Sequence, residues 1–171
     1  MLVLEREADA RRRGATILGE LLGHGNAMET ADCIEPVGSE ATVREAWRQA
    51  TAGVPIDFII AHGIGKPDAD RREAAILSAI FGSDIPVTAL KSQTGYLGAA
   101  TAAVELAMGL LAARHGYIPP IARHEAAPAD CPLRLAAVGP RPIDNQAPVF
   151  LLLNWSWTGQ CTALLMRAFR S

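Results

Sequence analysis

Residues Lys91–Gly116 read KSQTGYLGAATAAVELAMGLLAARHG, a polar entry and a tyrosine followed by small and apolar residues that one carboxylate interrupts. This pattern predicts a helix from about Thr94 to His115, stopped by Gly116 and the Pro119–Pro120 pair. Leu97 to Ala113 is the only candidate membrane segment, but it is mostly Ala and Gly and holds Glu105 near its middle. It therefore reads as a buried helix of a soluble core, with no membrane span. A buried carboxylate is costly unless it is paired or hydrogen-bonded, and Lys91 is the nearest candidate partner for Glu105. Gly95, Gly98, Ala99 and Ala100 leave the first turns nearly bare, so the helix can pack tightly or let a ligand approach its N-terminal amides.

On either side of this helix, short strands and helices alternate. LVLE (2–5) reads as the end of a strand, followed by a charged helix through Arg13 that Gly14 closes. ATILGELLGHGNAM (15–28) reads as a long strand in which Gly23 and Gly25 mark bulges or close backbone approaches. Val43, Ala46, Trp47 and Ala50 recur at helical spacing within 39–52, and Thr42 and Glu45 are placed to form a capping box. VPIDFIIAHG (54–63) has the pattern of a buried strand that delivers its last residues into a loop; a helix over about 70–81 and the strand IPVTAL (85–90) follow. The stretch 121–148 is loop-dominated, with one weak strand at LRLAAV (133–138). The chain finishes on a hairpin, PVFLLLNW to CTALLMRAF, joined by SWTGQ. Helices alternating with mostly apolar strands make the class α/β.

A chain of 171 residues, half of them hydrophobic, suits one domain with a sizeable core. The net charge of -2 leaves no broad basic surface, and Arg11–Arg13 stand beside Glu5, Glu7 and Asp9, as on a solvated helix face rather than a nucleic-acid site. Cys33, Cys131 and Cys161 have neither zinc nor disulfide-framework spacing, which points to a reducing cytoplasm. The apolar stretch at the N-terminus is too short for a secretory signal. His24, His115 and His124 lack metal-ligand spacing and read as structural.

Chemistry concentrates in AHGIGKPDADRRE (61–73). His62 follows an apolar strand and is flanked by Gly63 and Gly65, which let the backbone turn sharply. A histidine so placed can donate a hydrogen bond or act as an acid–base group in a pocket; the spacing equally allows a turn histidine that ends a strand. Asp70 and Glu73 lie about one helical turn apart at the start of the next helix, where the macrodipole favours negative charge, and their expected role is structural.

HGIGKPDAD with Glu73 behind it, then VTALKSQTGYLGAATAAVE, then RHGYIPP, in that order and at those separations, resemble the C-terminal half of β-ketoacyl-acyl carrier protein synthases. LVLE and GAT at the start fit too, so the resemblance covers nearly the whole chain. It implies a thiolase-like fold, two similar α/β halves stacked as αβαβα, of which this chain holds the C-terminal half only. Residues 1–171 then form a single domain, with 1–14 a remnant of the end of the N-terminal half. The implied function is decarboxylative Claisen condensation of malonyl-carrier protein with an acyl thioester, in fatty acid or polyketide biosynthesis, without cofactor or metal. The implied partners are an acyl carrier protein and a complementary ketosynthase chain or N-terminal half, in an oligomer located in the cytoplasm.

In that family the N-terminal half carries the nucleophilic cysteine, and none of the three cysteines here sits in a matching motif. His62 matches the first of two histidines that hold the malonyl thioester carbonyl, Lys91 matches the family lysine, and Glu105 matches its carboxylate partner. Tyr96 stands where the second histidine belongs; a phenol can still donate a hydrogen bond, but it reaches further than imidazole. In the last loop Asn154 and Gly159 match the family pattern of the substrate pocket, while Trp155, Ser156, Trp157 and Thr158 depart from it. Trp155 and Trp157 read as filling the pocket or packing at an interface, with substrate binding in the pocket as the alternative.

These departures imply a chain inactive on its own. The alternatives are a non-catalytic partner like the chain-length factors of aromatic polyketide systems, or a degenerate fragment. Half of a layered domain exposes the apolar face that its other half would cover, so the isolated chain is expected not to be a well-behaved monomer.

Overall fold

The computed structural model describes residues 2–29, 38–50, 53–136 and 139–170. Helix α1 (Glu7–Arg12) is followed by β1 (Gly19–Met28), α2 (Glu40–Ala50), β2 (Phe58–Ile60), α3 (Pro67–Phe81) and β3 (Pro86–Thr88). Then come α4 (Lys91–Thr94), α5 (Thr101–Arg114), β4 (Tyr117–Ile118), β5 (Arg134–Leu135), β6 (Arg141–Pro142), β7 (Val149–Trp155) and β8 (Gln160–Ala168). Six strands make one sheet in the order β1-β8-β7-β2-β3-β5, and β4 pairs with β6 apart from it. β1, β8 and β7 run antiparallel, whereas β7, β2, β3 and β5 run parallel.

The apolar runs of β2 and β7 follow from burial on both faces, as parallel strands between helix layers require. Ile59, Leu151, Leu153 and Trp155 face one way, into a core shared with Val43 and Ala46 of α2 and Ile76 and Leu77 of α3. Phe58, Ile60, Phe150 and Leu152 face the other way, against Leu106, Leu110 and Ala113 of α5. The rings of Phe58 and Phe150 stack with centroids 5.1 Å apart. Gly109 lets α5 lie close on this face: a Cβ there would stand 2.6 Å from Ile60 Cδ1 and 3.0 Å from the Phe150 ring.

Three expectations change. Residues 2–5 are not a strand, because no described strand offers them a ladder, and Leu2, Val3 and Leu4 are exposed. The single helix expected over 94–115 is broken into α4, a 3-10 turn at Gly98–Ala100 and α5. Gly95 and Gly98 take φ of 71° and 59°, a left-handed backbone that ends one helix and re-aims the next, and Thr101 Oγ1 accepts the Leu97 amide at 3.0 Å. The capping box of α2 is also different: Ser39, not Thr42, caps the helix by accepting the Thr42 amide at 3.3 Å. Glu29, from the end of β1, takes the reciprocal place by accepting from the Ser39 amide and the Thr42 hydroxyl, while Glu45 binds Arg48 and Gln49.

Other boundaries move less. β1 begins at Gly19 rather than residue 15, and α3 begins at Pro67, whose fixed φ suits the first helical position. The ends of two expected elements, residues 51–52 and 137–138, lie outside the described residues, as does Cys33. Among the described residues no helix is long and apolar enough to cross a membrane.

Candidate active site at the ends of the parallel strands

The carboxyl ends of β2, β3 and β7 lie side by side, which is where open parallel sheets place their ligand sites. The chain leaves β2 through Ala61, whose amide donates to Thr88 O at 2.8 Å, and His62 follows with 1% exposure. Two carboxylates of α3 then grip the backbone of the loop. Glu73 accepts the His62 and Gly63 amides at 2.7 and 2.8 Å, and Asp70 accepts the Ile64 and Gly65 amides at 3.0 and 3.1 Å. Four successive amides are thereby fixed, and the loop that aims His62 has little freedom. Burial pushes the Glu73 carboxyl up to about 7 against the pull of these amides, and it raises Asp70 as well.

Behind the histidine stands a buried polar chain. Lys91 Nζ donates to Glu105 Oε1 at 2.9 Å, with side chains 3% and 0% exposed. Glu105 Oε2 accepts from Asn154 Nδ2 at 2.7 Å, and Asn154 Oδ1 approaches His62 Nδ1 to 3.3 Å. Burial raises the Glu105 pKa, and Lys91 opposes it. Both carboxylate oxygens receive a donor, which is the pattern of an ionised group.

His62 Nδ1 has two neighbours that ask for opposite roles: the Asn154 carbonyl oxygen and the Trp155 amide, each at 3.3 Å. The amide hydrogen is fixed by the backbone and buried, so it needs an acceptor, and we assign Nδ1 as that acceptor. The proton then sits on Nε2. That atom is buried and has no hydrogen-bond partner among the described residues. Burial first and the Lys91 charge second hold the His62 pKa down to about 3, opposed by the Asn154 hydrogen bond, so the imidazole is neutral across the physiological range.

Tyr96 lies in the link between α4 and α5, 45% exposed, its ring edge-on to His62 with centroids 6.4 Å apart. Of the residues expected in the last loop, Asn154 joins the buried chain, and Trp155 contributes its amide. The Trp155 ring packs into the core on the opposite face of the sheet, against Gly38. Trp157 projects from the tip of the hairpin with 52% exposure, and Gly159, at φ 82°, closes that turn by donating to Ser156 O. Cys161 is buried, and burial pushes its thiol up to about 12, away from the reactive thiolate form. The sequence did not expose the grip of Asp70 and Glu73 on the loop amides, although their spacing behind HGIG was its one visible sign.

Residues 15–125 match the family described as "Beta-ketoacyl synthase, C-terminal domain". The chain belongs to this family. It is 37% identical over 123 residues to 3-oxoacyl-[acyl-carrier-protein] synthase 1 of Escherichia coli (strain K12), a match covering 70% of this chain and 30% of that protein. It is 38% identical over 124 residues to the tetracenomycin polyketide synthase ketoacyl synthase beta subunit of Streptomyces glaucescens, with the same two coverages. The chain thus spans about 30% of the length of these curated relatives. Among solved structures, the ishigamide ketosynthase/chain length factor superposes with a TM-score of 0.84 at 30% identity, over 95% of this chain and 41% of that one. A β-ketoacyl synthase from Burkholderia phymatum STM815 superposes with a TM-score of 0.81 at 26% identity, over 97% and 41%. The fold is accordingly the C-terminal half of the thiolase-like ketosynthase architecture.

Proposed function

We propose that this chain is the half of a ketosynthase that receives the malonyl thioester, completed by a cysteine-bearing N-terminal half carried on another chain or on the same longer polypeptide. The observation that supports it most is the buried Nε2 of His62, which has no hydrogen-bond partner among the described residues and which we assign as the protonated nitrogen of a neutral ring. Such a donor costs stability unless a ligand acceptor meets it, and a thioester carbonyl is one. When the bond to the malonyl carboxylate breaks and carbon dioxide leaves, the bonding pair moves onto that carbonyl as an enolate. His62 then stabilises the developing oxyanion. The enolate carbon attacks the acyl thioester on the other half, and the cysteine thiolate leaves.

Lys91, Glu105 and Asn154 are positioning residues in this reading, and Asp70 and Glu73 hold the loop. Tyr96 supplies at most one longer-range donor from its exposed position. A second reading, a non-catalytic partner that shapes another synthase's cavity, is favoured by Tyr96 in place of histidine and by the likeness to a ketosynthase/chain length factor.

The test is to assemble the chain with a cysteine-bearing half, add malonyl-carrier protein labelled at the free carboxyl, and follow labelled carbon dioxide. Release that disappears in His62→Ala and rises in Tyr96→His is expected. Stable assembly without release, unchanged in His62→Ala, would instead establish the partner reading. Tyr96→His without a complementing half should form no condensation product.

A further inference from the structure

Beside His62, between α3, the ends of β2 and β3, and the loop at 121–133, lies a cavity of about 650 Å³. It is continuous with the site already described: Gly63, Lys91, Ser92 and Tyr96 line it, and the Tyr96 ring stands edge-on to His62 with centroids 6.4 Å apart. Most of the remaining wall is apolar, built by Ile64, Leu77, Val87, Leu133 and Leu135. Charge around it is unevenly matched. The lining cations are committed, Lys91 to Glu105 and Arg71 to Asp68, and neither of those carboxylates lines the cavity. Asp70 and Glu73 accept loop amides, and Asp130 has no hydrogen-bond or ion-pair partner among the described residues. The lining thus presents carboxylates and no unpaired lysine or arginine.

We propose that this cavity receives the side branch of a 2-alkylmalonyl thioester, so that the site selects a branched extender over malonyl itself. The proposal rests on the reading of His62 given above. With the thioester carbonyl on His62, the adjacent carbon carries both the carboxylate and the branch, and only the branch suits the space beside Tyr96. A carboxylate there would lose hydration next to Asp70, Glu73 and Asp130 with no free cation to receive it. An alkyl branch instead buries against the leucine and valine walls, at about fourfold in affinity for each methylene. The volume falls within the roughly 300–1,000 Å³ of ligand pockets and exceeds what a methyl group needs, so the fit is to a branch of several carbons. The chemistry is unchanged: the bond to the carboxyl carbon breaks, its electron pair moves onto the carbonyl, carbon dioxide leaves, and the branch stays on the enolate carbon.

The N-acetylcysteamine thioesters of malonate and of butylmalonate, titrated separately into the full 171-residue chain and followed by methyl NMR, are direct probes. The butylmalonyl thioester should bind at least roughly tenfold more tightly, and it alone should shift the methyls of Ile64, Leu77, Val87 and Leu135 saturably. Ala74→Phe, which fills the cavity from α3, should remove the preference, so that the two thioesters bind alike; Leu133→Trp, which fills it from the loop, serves if the first variant does not fold. Equal binding of the two thioesters to the unaltered chain, shifts centred on Trp157 or α5, or a preference that survives the filling variant would overturn the proposal. His62→Ala separates this failure from that of the reading beneath it: both thioesters should lose affinity together, and indifference of both to the loss of His62 would overturn that reading, whichever of them binds more tightly.

Discussion

His62 and Glu73, joined through one backbone amide, respond to pH with opposite signs. His62 is neutral when folded down to about 3 and charged when unfolded below its ordinary 6.5, so its contribution to stability falls as the pH drops below 6.5. Glu73 binds its proton up to about 7 when folded and only to about 4.5 when unfolded, so its contribution is full below 4.5 and is lost as the pH rises through 7. Between about 4.5 and 6.5 the two slopes oppose each other. His62→Gln should therefore be more stable relative to wild type at low pH, and Glu73→Gln relatively more stable at high pH; urea denaturation at several pH values within that window reads both. Parallel profiles for the two variants would show that one of the assigned environments is wrong. Lys91→Met, which strands Glu105 in the core, should cost about 3–5 kcal/mol, and adding Glu105→Leu should recover much of it. The ion pair is readable in the sequence because a carboxylate inside an apolar helix demands a partner. The grip of Asp70 and Glu73 is not, because helical spacing does not reveal which amides a carboxylate will meet. The contact of His62 with the Trp155 amide, 93 positions along the chain, has no local sign at all.

Among the elements, glycines carry much of the architecture. Gly23 and Gly25 of β1 lie against α2, where an added Cβ would stand 1.9 Å from the carbonyl oxygens of Ala50 and Ala46 respectively. β1 also skips register between Leu21 and Gly23, so both devices expected of these glycines, bulge and close approach, occur together. Because the obstacle is backbone, Gly25→Ala should cost roughly 1–3 kcal/mol in thermal or urea unfolding. The alternation of strands and helices was readable because its periods differ. The break between α4 and α5 was not, since small residues hide the point where Gly95 and Gly98 turn left-handed. Residues 2–5 have the composition of a strand, and composition cannot say whether a neighbouring strand exists.

For the molecule as a whole, several large apolar residues are left at the surface. Leu2, Val3 and Leu4 are 41%, 67% and 74% exposed, Tyr96 stands open beside His62, and Leu97 and Leu111 are exposed as well. Surface of this kind favours association. Sedimentation of the isolated chain should show self-association that a complementing half suppresses, and a monodisperse monomer at all concentrations would count against the half-domain reading. The site, by contrast, is internally braced, since the loop amides, Trp155 and the Lys91–Glu105–Asn154 chain all belong to this half. His62 should therefore be a preset neutral donor before any partner arrives. Nitrogen NMR of histidine-labelled protein reads this directly, with the chain alone and complemented. The expected result is a proton on Nε2, none on Nδ1 and no titration of His62 between about pH 5 and 8. A proton on Nδ1, or a charge appearing near the ordinary 6.5, would contradict it.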